Sequence, residues 1–343
     1  MSSTQQFTID GARELARAAV LGAGGNEAMA ASLADATVAA ETWGQSAVGF
    51  AHLPDYLDSI VAGRIDGRAE PVISSPAPAL IAADARGGIA QLGFDRAFDD
   101  LCARATTYGI ALFSQSGSYT AGELGYYIRR LADAGLISYA AANGPALMAP
   151  PGASRAVYCT NPFAFGAPVA NSAPLVIDQA SSATAYVNIR AAAERGERIP
   201  EGWAVDAAGL TTTDPGEALK GALLTFGGSR GANVALMVEV LAAGLTGANW
   251  SLDAPGFVTG NKSPGAGLVV IAISPQLLGQ DLPSRLDDHF RRLEGLGTHI
   301  PGQARKQRED EARLSGLKLP EELVRRIAAY ADATGESGNT PQS

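Results

Sequence analysis

Two cysteines and three histidines are all that 343 residues contain of the side chains that most often cross-link a chain or hold a transition metal. Cys102 and Cys159 cannot build a disulfide framework or a cysteine-rich zinc site, so both read as inert thiols and no metal is expected. Positive charge is also short. A net charge of −9 argues against sequence-independent nucleic-acid binding, which needs a surplus of Lys and Arg. No apolar run approaches the roughly 20 residues that cross a bilayer, so no membrane partner is expected. The opening MSSTQQFTIDGARELARAA has no basic segment followed by an apolar core and small-residue cleavage site, which makes the cytoplasm the expected location. One absence bears on the fold: no Gly-x-Gly-x-x-Gly follows a strand-like run with an acidic residue about 20 positions later, which argues against a Rossmann nucleotide site.

What is present divides into helical ends and a mixed middle. Asp10 is placed to N-cap a helix with apolar positions at Ala12, Leu15, Ala16 and Ala19, and Gly22 to Gly25 end it. A second helix runs from about Asn26 to Trp43, and a third pattern carries Phe50, Leu53, Leu57, Ile60 and Val61. The Pro-containing stretch 66–78 reads as a linker. Strand-like runs follow at Ala79–Ala83, Ile110–Phe113, Leu136–Ala141, Phe163–Ala167, Leu175–Ile177 and Leu268–Ile273, with helical patterns near 121–134, 183–195 and 231–246 between them. From about Leu282 the chain is helical again, and GESGNTPQS reads as a disordered tail. The expected organisation is a helical unit built from 1–75 and 281–335, a mixed α/β unit over 76–280, and a tail over 336–343. The basic run Arg305-Lys306-Gln307-Arg308 precedes Glu309-Asp310-Glu311 at spacings that pair charges along one solvated helix face.

Four short segments carry polar groups suited to chemistry. GGSRG, residues 227–231, opens a long apolar helix; its unpaired N–H groups, the positive end of the helix dipole and Arg230 suit a phosphate, although Gly-rich loops before helices are common. Asp178 ends the apolar run LVID, where a carboxylate serves either catalysis or capping. Thr160, Asn161 and Pro162 lie in YCTNPFAFGAP, which by itself reads only as a loop. The last segment is SYTAGELGYY, residues 118–127.

GQSAVGFAHLP, residues 44–54, resembles a motif Gly-Val-x-Ser-His-Gly-x-x-Arg-x-Pro of the type 2 malate/L-lactate dehydrogenase family, with Val48 at the position of the proton-donating His and His52 at that of the Arg. GGSRG is similar to that family's Gly-Gly-His-Lys-Gly, DQASS to its Asp-Met-Ala-Thr-Ser, and Thr160-Asn161-Pro162 to its Gly-Thr-Asn-Pro. SYTAGELGYY resembles Ser-Asn-His-Phe-Gly-x-x-Gly-Tyr-Tyr, with Thr120 in place of a second His, and IPEGWAVDAAGLTTTDP is close to the consensus. The similarity runs colinearly over about residues 5–335. It implies a mixed, largely antiparallel α/β sheet of the L-sulfolactate dehydrogenase type, non-Rossmann, flanked by a helical domain in an intertwined homodimer. It also implies an NADPH or NADH cofactor held in the 76–280 unit by Ser118, Thr120, Gly122, Thr160, Asn161, Pro162, Asp178, Ala180, Ser182, Gly228, Ser229, Arg230 and Gly231. Arg230 and Arg190 are both possible partners for a 2′-phosphate.

Asp178 inherits a catalytic or substrate-positioning role from the resemblance. Reducing a ketone creates an alkoxide that a positioned acid must protonate, and losing that acid typically costs about 10²–10⁴-fold. A protonated cyclic imine is already a cation and yields a neutral amine, and an anionic Asp178 would favour that iminium. Val48 therefore points to a small cyclic imine (ketimine) or 2-oxo-acid-like substrate, with His52, Tyr119 and Tyr126 as replacements for the missing acid. If Val48 and His52 belong to one helix, they share a face. The alternatives are a cofactor-binding homologue whose catalysis has decayed, and a conventional malate- or lactate-type 2-hydroxy-acid dehydrogenase. His289 and His299 read as surface residues.

Overall fold

The computed structural model describes residues 3–279 and 281–332. Its centre is a seven-stranded sheet built from β2 (Val72–Ala77), β3 (Leu80–Asp84), β4 (Ile110–Ser118), β5 (Ile137–Ala142), β7 (Phe163–Ala167), β8 (Leu175–Gln179) and β12 (Ala266–Ile273). Their order is β2-β3-β4-β12-β5-β7-β8. Only β3 and β4 run parallel, because the helix α4 (Ala90–Tyr108) between them supplies the crossover that parallel strands need. The other neighbours are antiparallel. The middle strand β12 reads as a nearly continuous apolar run because both of its faces are covered. Phe94 of α4 anchors the core on one face, edge-on to Phe113 at 5.8 Å and to Tyr127 at 4.9 Å.

A smaller sheet of β6 (Met148–Ala149), β9 (Ala204–Val205), β10 (Thr211–Thr212) and β11 (Ala222–Leu224) packs with α6 (Tyr186–Arg195), α7 (Pro215–Ala218) and α8 (Ser229–Glu239) around Met148, Ile189, Leu223 and Ala235. After α8 the chain continues as one π-helical segment, Val240–Leu245. There β12 comes so close that a Cβ on Gly267 would stand 1.7 Å from the Ala242 carbonyl oxygen, and the β12–β4 register shifts at the same place.

The helical ends meet. α1 (Ile9–Gly22), α2 (Glu27–Thr42), α3 (Leu53–Val61) and α11 (Glu321–Asp332) share one core with Val20, Leu33, Leu57 and Ile327, and β1 (Thr4–Phe7) pairs antiparallel with β13 (Leu317–Pro320). Between β12 and β13 lie α9 (Leu282–Gly295) and α10 (Gln303–Ser315); α5 (Gly125–Asp133) packs on β5, β7 and β8. Among the described residues no helix is long and apolar enough to cross a membrane.

Three local expectations change. Thr8, two residues before Asp10, caps α1 by accepting from the Gly11 N–H, and Asp10 sits in the first turn where it complements the helix dipole. The 66–78 stretch is no free linker, since residues 72–77 form edge strand β2; Pro76 is tolerated there beside a register shift. The strand beginning at Ile110 extends through Ser118. The tail GESGNTPQS lies outside the described residues.

A Cβ on Gly22 would stand 2.0 Å from the Tyr330 carbonyl oxygen, so the contact between the two ends of the chain depends on that glycine. Gly22→Ala is expected to cost about 1–3 kcal/mol by forcing α11 away. Thermal denaturation measures this, and an unchanged melting temperature would contradict so close an approach.

Candidate active site

Asp178 lies on edge strand β8, opposite Ala164 of β7, with part of its surface still accessible. Its Oδ2 accepts from the backbone N–H of Gly125 at 2.7 Å, which places the carboxyl at the N-terminus of α5. Asp178 thus caps a helix remote from it in the chain. Burial pushes the carboxyl up and the charge of Glu123 adds to it; the Gly125 N–H, Arg129 and Arg305 oppose, and the outcome is a pKa of about 6 against 3.8 for an ordinary aspartate. Such a group exchanges its proton close to neutral pH, as a catalytic acid or base must.

Two neighbours of Asp178 carry no signal in the sequence. Glu123 occupies a variable position of its motif, yet it is buried and Arg129 holds it through two bonds of 2.5 and 2.9 Å. Arg305 comes from α10. With the Gln45 amide oriented so that its oxygen faces the guanidinium, Arg305 donates to it at 2.5 and 2.9 Å. The basic run is therefore only partly the solvated face expected of it. Lys306 pairs with Glu309 and Asp310 as the spacing predicts, but Arg305 turns inward and Arg308 packs against Gly44.

Val48 ends a single 3-10 turn, Ser46–Val48, and Gly49 follows with φ −95° and ψ −129°, which interrupts any helix. The expected helical face shared by Val48 and His52 is therefore absent: α3 starts after His52, which flanks its first turn. Val48 lines a void of about 10 Å³ together with Thr37, Tyr56, Gln91, Gly122 and Glu123. The Gln91 Oε1 is buried there without a partner. Gly122 has φ +66°, and a Cβ on it would stand 2.7 Å from the Gln91 amide nitrogen.

The three expected replacements for the acid are engaged elsewhere. His52 Nδ1 lies 2.9 Å from Asp55 Oδ2. Burial pushes the Asp55 carboxyl up, but the bond and charge from His52, with Arg190 and Arg326, hold it below its ordinary value overall. Tyr119 is a core residue: its hydroxyl donates to the Phe257 carbonyl at 3.1 Å and accepts from Ser59, and its ring packs edge-on against Tyr56 and Phe257. The Tyr126 hydroxyl donates to Asp95 at 2.8 Å and accepts from Arg130. For the two tyrosines the cause is burial, since a buried aromatic hydroxyl requires a partner nearby; the His52 ring is only half-buried.

The segments that the resemblance assigns to a cofactor come together as one unit. Ser181 donates its N–H to the Thr160 carbonyl at 2.8 Å and its hydroxyl to the Asn161 carbonyl at 2.7 Å, and Ser182 bridges to Thr225 just before the Gly-rich loop. Asn161 faces inward, with φ +38° and its amide donating to the Ala235 carbonyl and to Glu239. Glu239 also accepts from the N–H and hydroxyl of Ser251, so three donors satisfy a buried carboxylate. Asn161 thus acts on the cradle's shape from behind. Pro162 accepts from the Ala142 N–H, while Ser118 accepts from Gln115 beneath the 118–125 segment. At the front, Gly227 and Gly228 have φ +55° and +61° and lie exposed with Ser229 and Arg230 at the start of α8. Gly231 is buried where a Cβ would meet the Phe226 carbonyl at 2.1 Å. Consecutive positive-φ glycines, a helix N-terminus and a guanidinium are a donor set that suits a phosphate or diphosphate. Among the described residues no group of three His, Cys, Asp or Glu side chains is placed to hold a metal ion.

A separate cleft of about 720 Å³ lies between α2, α4, α5 and α10. It contains Tyr126 and Arg129 but neither Asp178 nor the Gly-rich loop, so size alone does not mark the chemistry.

A profile of the malate/L-lactate dehydrogenase family matches residues 7–328, and the chain belongs to that family. It is 35% identical over 304 residues to a Δ1-pyrroline-2-carboxylate/Δ1-piperideine-2-carboxylate reductase of Pseudomonas putida, covering 87% of this chain and 89% of the relative. It is 34% identical to a (2R)-3-sulfolactate dehydrogenase (NADP(+)) of Chromohalobacter salexigens, covering 96% and 98%. The crystal structure of Δ1-piperideine-2-carboxylate reductase from Pseudomonas syringae pv. tomato superposes with a TM-score of 0.91 at 32% identity, covering 95% of this chain and all of that one.

Because folding raises the Asp178 pKa, its favourable contribution is complete below about pH 4 and is lost as pH rises through about 6. Ionised at neutral pH, it costs about 1–3 kcal/mol after allowance for its partial exposure. Asp178→Asn keeps an acceptor for Gly125 and removes that cost. Its melting temperature relative to the unaltered protein is expected to climb between pH 4 and 7, and a pH-independent difference contradicts the raised pKa.

Proposed function

We propose that the chain is a nicotinamide-dependent reductase of small cyclic imines that carry a carboxylate beside the C=N bond, with Δ1-pyrroline-2-carboxylate and Δ1-piperideine-2-carboxylate as the substrates to test. The observation that carries this reading is the Asp178 carboxyl, poised near pH 6 at a helix N-terminus, in a family site whose His position is Val48. The names of the reductases at 35% identity and of the superposable structure support it. A reduced nicotinamide, when bound, would supply the hydride that the imine carbon accepts. Protonated Asp178 gives its proton to the imine nitrogen, then faces the resulting iminium as a carboxylate and regains a proton from solvent through its accessible edge. An imine nitrogen is a base able to accept that proton before hydride arrives, whereas a ketone oxygen is far too weak a base to do so.

The exposed start of α8 suits the nucleotide phosphates, with Gly227, Gly228 and Arg230 as donors. Arg230 at that terminus favours NADPH, in keeping with the NADP(+) in the name of the sulfolactate relative. Arg190 stands 5.8 Å over the Tyr186 ring and extends its charge towards Asp55. Arg305, half-buried and within electrostatic reach of Asp178, is the cation we assign to the substrate carboxylate.

With NADPH or NADH present, oxidation followed at 340 nm is expected with the cyclic imines and to exceed that with pyruvate or oxaloacetate, falling as pH rises above about 6. No turnover of any cyclic imine would sink the proposal and leave the decayed cofactor-binding homologue. Val48→His is expected to lower imine turnover, because a void of about 10 Å³ cannot take an imidazole; a large gain on 2-oxo acids would instead mark a hydroxy-acid dehydrogenase. Arg305→Gln is expected to raise KM for carboxylated imines about 10-fold or more, leaving KM for an imine without a carboxylate unchanged. Equal effects on both substrates would remove Arg305 from carboxylate recognition.

A further inference from the structure

Glu123 is an unusual residue to bury. Its side chain is 2% exposed and that of Arg129 10%, and the pair is bidentate. Arg129 is fixed in turn by a bond to the Ala39 carbonyl and by the Trp43 ring 4.6 Å away. A buried ion pair is a poor device for stability, because desolvation consumes most of its attraction and an apolar pair of similar volume packs at least as well. Its location is more telling. Gly125 gives its N–H to Asp178, and a Cβ on that glycine would stand 2.5 Å from Glu123 Oε1 and 2.6 Å from Arg129 Nη1. The two carboxyls therefore both lie against Gly125, and a side chain at that position would push on the Glu123–Arg129 pair. Glu123 also faces the small void that Val48 lines.

We infer that Glu123, locked by Arg129, is a positioning residue for the reaction: its fixed negative charge keeps a proton on Asp178 and so takes over the task left open by the side chain at Val48. The charged groups facing Asp178 are Glu123 and Arg129 from α5 and the segment before it, and Arg305 from α10. Of these, Glu123 alone opposes ionisation, adding to the larger effect of burial; Arg129 favours ionisation and is engaged by both Glu123 oxygens. Neighbouring like charges raise the proton affinity of the one that is less well paired. Asp178, with one backbone N–H, is that one.

This inference rests on the imine-reductase reading, and its test is separable from it. In the purified full chain, the kcat/KM profile for Δ1-piperideine-2-carboxylate is expected to lose its alkaline limb about one pH unit lower in Glu123→Gln, a loss of about tenfold at pH 7, with unchanged KM for the nucleotide. Glu123→Asp keeps the charge and is expected to restore the limb. The double variant E123Q/R129Q, uncharged at both positions, carries the test if the single variant does not fold; because Arg129 opposes Glu123 at Asp178, its limb is expected to lie below that of the unaltered protein but above that of E123Q. A limb that stays in place in E123Q or the double variant, or that moves equally in E123D, overturns the inference. Carbon-13 titration of the Asp178 carboxyl in the same variants gives an activity-independent readout: a pKa that drops without Glu123 supports the inference even if no imine is turned over, which is the outcome that defeats the functional reading instead.

Discussion

The hydrogen bond from the Gly125 N–H to Asp178 joins the parts of this molecule on which the proposed chemistry depends. Strand β8 is the last of the central sheet, and α5 packs over it and its neighbour β7. Bringing the carboxyl to the first turn of α5 fixes the edge strand, the helix and the 118–125 segment that leads into it. The helix N-terminus tolerates a carboxylate, but a single N–H does not compensate fully for lost water, so the proton affinity stays high. A second donor would have produced a more stable protein and a poorer acid. Here the stability cost and the reactivity have the same source.

A second buried carboxylate follows the opposite logic. Glu239, at the end of α8, receives three hydrogen bonds from Ser251 and Asn161, and through them it ties the Thr160–Pro162 loop to the helix whose other end presents Gly227 and Gly228. Asp178 is left under-satisfied at an accessible edge, whereas Glu239 is fully engaged behind the cradle. One is placed to change its protonation state; the other holds loops in register. The π-helical segment after Glu239 and the close approach of Gly267 continue this rigid backing into the middle of the sheet.

Much of the fold was legible from local pattern. The apolar run of β12, the strand-like start of β4 and the helical periodicity of α1, α5 and α8 each reflect burial against a neighbour, and periodicity records burial faithfully. The short strands β1, β6, β9, β10, β11 and β13 were not, because two to four residues are too few for a period to register. β2 was read as a linker because Pro76 and the serines outweigh a weak alternation, and an edge strand can afford such residues. In the site, Asp178 and the Gly-rich loop were visible because a carboxylate after a strand and glycines before a helix are local signals. Glu123, Arg129 and Arg305 were not: the first sits at a variable motif position, and the last belongs to a charge run that, on spacing alone, reads as solvated surface. Tyr119 was misplaced for the converse reason, since a tyrosine beside motif residues gives no sign that its hydroxyl faces Ser59 and Phe257.

The sequence by itself determined the family, the mixed α/β class with helical ends, and the presence of a phosphate-suited loop and a strand-end carboxylate, all of which depend on residue type and spacing along the chain. Only the tertiary structure decided the state and partners of those groups. The proton affinity of Asp178 is a sum over desolvation and charges brought from α5 and α10, and Coulomb interactions follow distance in space. Whether a hydroxyl or imidazole is free to react depends likewise on what packs against it, and that is settled by neighbours remote in the chain.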